Sequence, residues 1–312
     1  MTAIDLGQLE PHRLAGSRAA LRASSPRMRV ALAQVDMTPG DYEANLTKIK
    51  RIIDENRGQT DLLVFPEYTF SGYQIGQAVY DSALRVDDDI FRELVAHTQG
   101  ITVAMGFIEE TGAFNFYDSL AFLRDGQVLG IHRKIYLVNY GAFEERRHFS
   151  VGPRHESIDC GAFRLTPFIC ADVWNPALVH LAGSDRAHLF VFSAASPTQG
   201  LGSRLSTRES WHRMNQFYAS MYGVYVLFVN RVGDDDGLEF WGGSQIVDPF
   251  GRVIAEGKIG DEDVVTAELD LAEVREARTV LHTVRDEDLG FIRRRLDQVL
   301  TTNYSTVEAQ NQ

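Results

Sequence analysis

Three short segments of this 312-residue chain carry residue types that can act on a carbonyl carbon. Cys170 closes the apolar run 163–170, and Asp172, Trp174 and Asn175 follow before Pro176, a residue suited to the first position of a helix. A thiol where a strand passes into a helix meets backbone N–H donors and a helix N-terminus, which are expected to lower its pKa and favour the nucleophilic thiolate. Lys134 ends another strand, within the segment 131–136, and only four lysines stand among the 31 basic residues. A surface that needs only positive charge takes Arg in this chain, whereas a compact ammonium suits a developing oxyanion. Glu67 follows Pro66 at the end of the apolar run 61–65. Pro cannot donate to a central ladder, so the strand is expected to stop there and present Glu67 at its carboxyl edge, where sites in α/β sheets assemble. Each residue has a plain alternative: a solvated carboxylate, a snorkelling Lys, an inert buried Cys. Cys160, beside the turn residue Gly161 and without a polar cluster, fits the inert description.

The elements that must position these residues occur twice. The segment from Ser119 to Gly130, with its turn at Gly126, reappears from Ser244 with the turn at Gly251, and Gly112 and Gly237 precede the two copies at the same spacing. Upstream, the apolar run 61–65 is echoed by 188–192, each reading as a strand buried on both faces. A helix is expected before each run, over 41–59 with Asp41 as N-cap and over 176–187. A second follows each, over 90–99 and 207–222, and leads into the apolar strands 102–107 and 224–230. Two such halves give an α/β body in which two sheets stack face to face with helices on both flanks. One domain is expected over 28–278, with an N-terminal extension over 1–27 and a C-terminal helix and tail over 279–312.

Composition narrows the function. Apolar residues at 44% and charged residues at 24% suit a globular chain, and the net charge of −12 argues against a nucleic-acid binder. No run approaches the ~18 apolar residues of a membrane span, and the arginine-bearing first 27 residues lack the apolar core of a secretory signal. Cys160 and Cys170 lie across a hairpin with sulfurs pointing apart, so both are expected to be free thiols, as suits the cytoplasm. No HExxH, CxxC, Walker or Rossmann spacing occurs, so neither a metal nor a cofactor is expected.

Taken together, Phe65-Pro-Glu-Tyr68, His132-Arg-Lys-Ile-Tyr-Leu137 and Ile169-Cys-Ala-Asp-Val-Trp174 resemble, in order and spacing, the nitrilase superfamily of carbon–nitrogen hydrolases. The resemblance implies a four-layer αββα sandwich with an internal pseudo-twofold repeat. It also implies a catalytic triad of Glu67, Lys134 and Cys170, and a second glutamate within 139–149; the Glu-basic-basic-aromatic-Phe pattern there selects Glu145 over Glu144. Asn139-Tyr-Gly141, Cys170-Ala-Asp-Val-Trp174 and Ser193-Ala-Ala-Ser-Pro197 look most like the glutaminase domain of glutamine-dependent NAD synthetases. That branch implies substrate contacts from Tyr140, Ser196 and a later Arg, for which Arg204 stands at a longer separation than the pattern. The backbone N–H of Ala171 joins Lys134 as an expected oxyanion donor, and Tyr73, Phe143 and Trp174 are expected to wall the pocket. No synthetase segment follows, so a free-standing amidase is expected, acting on a small-molecule amide and forming a homodimer or larger homo-oligomer. Carbamoyl and nitrile hydrolysis use the same triad, and a non-catalytic binding protein of the same fold is the alternative from another class.

Overall fold

Side-chain alternation along the strands builds the layers. The computed structural model describes residues 25–73, 78–141, 143–199, 204–235 and 237–310, with side chains up to 302. The first sheet comprises β1 (Arg27–Gln34), β2 (Leu62–Val64), β3 (Thr102–Glu110), β4 (Phe116–Arg124), β5 (Gln127–Arg133) and, from the far end of the chain, β14 (Asp263–Asp270). The second comprises β6 (Ile158–Cys160), β7 (Phe163–Ile169), β8 (Leu189–Ala194), β9 (Tyr225–Asn230), β12 (Gln245–Val247) and β13 (Val253–Glu256). Val30, Leu32, Leu62, Val64 and Phe122 from the first sheet pack against Leu165, Ile169, Val191, Leu227 and Ile246 from the second, a core between the sheets. Their neighbours Ala31, Ala33, Leu63 and Val103 point the other way, onto a helix layer.

That outer layer is α1 (Tyr42–Asn56) and α2 (Asp89–Ala96), which bury Leu46, Ile49, Ile53, Phe91 and Leu94. Asp41 caps α1 as expected, its carboxylate accepting the Ala44 N–H at 3.0 Å. On the second sheet, Phe190, Phe192, Val226 and Phe228 meet α3 (Pro176–Ser184) and α4 (Thr207–Tyr222). Ser206 caps α4, and Gly223 ends it in the left-handed region. Layers therefore run helix, sheet, sheet, helix.

The two sheets repeat each other strand for strand. Their orders are β14-β1-β2-β3-β4-β5 and β6-β7-β8-β9-β12-β13. Read along either, the pairings run antiparallel, parallel, parallel, antiparallel, antiparallel. Gly126 and Gly251 occupy the same turn in both halves, with φ of 76° and 81°. The halves differ after β3 and β9. β3 continues for nine residues, but β9 stops at Asn230 and the chain forms a separate hairpin, β10 (Val232–Asp235) with β11 (Leu238–Trp241). Gly237 takes a left-handed turn there, whereas in the first half Phe114 rather than Gly112 does so. Two further helices, α5 (Leu271–Val280) and α6 (Leu289–Gln310), follow β14. Among the described residues no helix is long and apolar enough to cross a membrane. Residues 1–24 of the expected extension lie outside the described residues.

Candidate active site

Each chemical side chain stands just beyond a strand's carboxyl end. Glu67 lies three residues past β2, on backbone that presses against β3 at Gly106: a Cβ there would come within 2.5 Å of the Pro66 carbonyl and 2.7 Å of the Glu67 Cα. Tyr68, next in the chain, has φ of 55°. Lys134 follows β5 directly, and Cys170 follows β7 directly at φ 41°. Non-glycine residues in the left-handed region cost ~1–3 kcal/mol and mark places where the surrounding structure dictates the backbone. Glu145 opens a single helical turn, Glu145–His148.

These ends converge on the Lys134 ammonium. Its Nζ donates to Glu67 Oε1 at 2.7 Å and to Glu145 Oε1 at 2.8 Å, and stands 3.1 Å from Asp118 Oδ2. The other oxygens of the two glutamates are held by backbone: Glu67 Oε2 accepts the Ala195 N–H at 2.6 Å, and Glu145 Oε2 accepts that of Val138 at 2.8 Å. All four side chains are buried. The three carboxylates could together hold a cation, and the ammonium occupies that place.

A second carboxylate ties the Lys134 and Cys170 segments together. Asp172 Oδ1 accepts the N–H groups of Ile135 and Tyr136 at 3.0 and 2.9 Å. Its Oδ2 accepts from Ile169 at 3.1 Å and meets His132 Nε2 at 2.9 Å. Burial alone would raise this carboxyl, but the hydrogen bonds from His132 and the backbone hold it below the usual range. Asp172 therefore fixes the segment after the lysine relative to the turn that carries the thiol.

Electrostatics correct one expectation. Burial pushes the Cys170 thiol well above its ordinary value, and Glu67 pushes it further, against a partial opposing pull from Lys134. That direction favours the thiol over the thiolate at Cys170. The turn that follows Cys170 is only the short 3₁₀ segment Cys170–Trp174. Burial would likewise lower the Lys134 ammonium, but Glu145 and Glu67 hold it well above its ordinary value.

Glu67, Glu145 and Cys170 open on one cavity of about 40 Å³, walled by Tyr73, Tyr140, Phe143, Ala171, Trp174, Ala195 and Ser196 among others. A wider polar vestibule adjoins it, sharing Tyr140, Ala171 and Trp174 and adding Asn139, Arg146 and Asn175.

The carbon-nitrogen hydrolase family matches residues 29–279, which span every strand end named above. This chain is a carbon–nitrogen hydrolase of the nitrilase superfamily. A glutamine-dependent NAD(+) synthetase of Thermotoga maritima is 38% identical over 79% of this chain, which covers only 43% of that protein. An (R)-stereoselective amidase of a Pseudomonas species is 30% identical over 84% of this chain and 92% of its own length. In fold, a carbon–nitrogen hydrolase from Helicobacter pylori aligns with a TM-score of 0.78, at 19% identity, over 87% of this chain and 99% of that one.

Within this carbon–nitrogen hydrolase, ten of the eleven residues singled out from sequence gather at the cavity or at the ammonium behind it. Arg204 does not: it is exposed and lies outside the cavity wall. Ser196 is locked in place, its Oγ accepting the Trp211 Nε1–H at 3.0 Å and its N–H donating to Asn230 Oδ1 at 2.8 Å. Sequence reasoning missed Asp118, which lies inside β4 and looks like one more polar residue beside Ser119. It passed over Asp172 and His132 as well, although both sit inside the quoted motifs.

Proposed function

We propose that this hydrolase is an amidase that converts a small primary amide to a carboxylic acid and ammonia through a thioester on Cys170. The observation that carries the reading is the convergence of one thiol and two carboxylates on one small cavity, with a buried ammonium bonded to both carboxylates behind it. An amide carbon is a poor electrophile, so its hydrolysis needs an activated nucleophile, stabilisation of the oxyanion and a proton for the leaving amine.

Glu67 takes the Cys170 proton as sulfur attacks the carbonyl carbon, and the C=O π pair moves onto oxygen. The Lys134 ammonium and the Ala171 N–H stabilise that oxyanion; one such donor contributes about 2.7–4 kcal/mol. As the oxyanion collapses, the C–N bond breaks, and Glu67 gives its proton to the departing nitrogen, releasing ammonia and leaving the thioester. Water then attacks the thioester as Glu67 accepts a proton from it; the carbon–sulfur bond breaks, its pair leaves on sulfur, and Glu67 returns the proton to that sulfur, regenerating the thiol and freeing the acid. One carboxyl serves in both directions, a contribution of ~10²–10⁴ in rate. Glu145 holds the ammonium through a second hydrogen bond, beside that to Glu67. The amidase relative, covered over most of its length, supports an amide substrate, and the glutamine-dependent NAD(+) synthetase relatives are the reason to test glutamine.

The test is ammonia release from a panel of primary amides that includes glutamine, with carbon dioxide measured alongside. Ammonia and acid in equal amounts without carbon dioxide are expected. Ammonia accompanied by carbon dioxide, seen only with carbamoyl substrates, would replace the reading with carbamoyl hydrolysis.

A further inference from the structure

The charges around Lys134 do not balance if every carboxyl is ionised. Glu67, Asp118 and Glu145 offer oxygens within 4.8 Å of one another. Lys134 is the one cation ion-paired with them among the described residues. Full ionisation would bury two uncompensated negative charges beside a thiol that must give up its own proton. Isolated buried charges cost several kcal/mol each, and carboxyls in such clusters share protons instead.

Hydrogen bonding decides which carboxyl keeps the proton. Each glutamate has one oxygen on the ammonium and the other on a backbone N–H. Asp118 has less support: neither of its buried oxygens accepts a backbone N–H among the described residues. Only the shared ammonium approaches it, 3.1 Å from Oδ2, at a longer distance than to either glutamate. Of the three, Asp118 is the poorest place for a negative charge.

We infer that Asp118 rests as a neutral carboxylic acid whose O–H donates to Glu67, making it a positioning residue for the proton acceptor. This rests on the role proposed above for Glu67. Burial and the facing Glu67 push the Asp118 carboxyl well above the usual range, against an opposing pull from Lys134. The other titratable groups around it are Glu145, the Tyr68 hydroxyl and the Cys170 thiol. A neutral Asp118 leaves the cluster with one net negative charge and holds Glu67 ionised, ready to accept a proton. The same O–H fixes the direction in which Glu67 presents its lone pairs.

Infrared difference spectroscopy tests this on the resting protein without substrate. Wild type minus Asp118→Asn at neutral pH should show a protonated-carboxyl carbonyl band that shifts in D₂O and when aspartate is labelled with ¹³C at its side-chain carboxyl. Absence of that band, or a shift only on labelling glutamate, overturns the inference. The labelled wild type alone supplies this reading if the variant does not fold. In turnover, Asp118→Ala should lose on the order of 100-fold in kcat, and Asp118→Asn, which keeps a neutral donor in place, should recover at least about ten-fold of that loss. Equal impairment of two folded variants would show that the charge is needed and would overturn the inference. Failure of the amidase reading, by contrast, would leave the infrared band in place.

Discussion

Glu67 and Ala195 join the two halves of the molecule at the site. The carboxylate, beyond the end of β2, accepts the N–H of a residue beyond the end of β8, the strand that repeats β2 in the second half. Ser193 adds a second link by donating from Oγ to the Phe65 carbonyl at 3.2 Å. The Glu67 carboxylate is therefore oriented by the strand end that the repeat places opposite its own, so its geometry depends on how the two sheets stack.

Gly106 sets how closely Glu67 can approach. In Gly106→Ala the new Cβ would meet Pro66, Glu67 and Tyr68 backbone at 2.5–2.7 Å, and backbone cannot swing aside as a side chain does. We expect a loss of about 1–3 kcal/mol in stability and roughly 100-fold in kcat/KM, because displacing a reacting group by an ångström costs about that much. Steady-state kinetics and urea unfolding would check both; a variant with wild-type kinetics would contradict the placement of Glu67.

Asp172 predicts a coupled loss. Asp172→Asn replaces one acceptor oxygen by an amide nitrogen facing N–H donors, so at least one buried backbone donor is left without a partner, at about 1–3 kcal/mol. The turn bearing Cys170 and the segment after Lys134 then lose their shared anchor. The expected outcome is a lower melting temperature together with a fall in kcat larger than the change in KM. Lowered stability with kcat unchanged would reduce Asp172 to a folding role.

The thiol's environment sets a pH dependence for its alkylation. Because the folded Cys170 pKa lies above the ordinary thiol value, thiolate is scarce at neutral pH. Its iodoacetamide rate, followed by peptide mass spectrometry, should keep rising through and beyond pH 9. A plateau near neutrality would mean a preformed thiolate and would remove the need for Glu67 to act as base.

His155 predicts acid sensitivity. Burial, and then the neighbouring His132, lower its pKa to about 4, while its Nε2 lies 2.8 Å from the Pro167 carbonyl and its ring packs on Phe168. The unfolded chain would bind a proton at this residue below the ordinary value of 6.5, whereas the folded protein resists it. Stability should therefore fall as pH drops from about 6.5 to about 4, by roughly 3 kcal/mol from this residue. Urea midpoints across that range should show the slope, reduced in His155→Phe; an unchanged slope would contradict it.

Much of the architecture was legible in the sequence because the repeat is written in apolar runs and turn glycines, and these dictate strand order through burial alone. Glu67, Lys134 and Cys170 could be singled out because each follows a run that must end, at a proline, a basic cluster or a helix start. Asp118 was not legible: a carboxylate in the middle of a strand reads as a solvated face until the opposing sheet shows that the face is closed. The thiol was misread for a related reason. Local sequence describes the turn after Cys170, but the burial that most raises its proton affinity, and the carboxylates that add to it, come from elements distant in the chain. Arg204 was chosen by its place in a pattern, and the structure sets it at the surface.

The central claim, that the Cys170 sulfur attacks the amide carbon, is tested most directly by rapid acid quenching during turnover of an amide, followed by digestion and mass spectrometry. An adduct equal to the substrate less ammonia is expected on the peptide carrying Cys170, disappearing as substrate is consumed, with Cys170→Ala folded, unlabelled and inactive. Continued turnover by Cys170→Ala, or an adduct on any other residue, would contradict it.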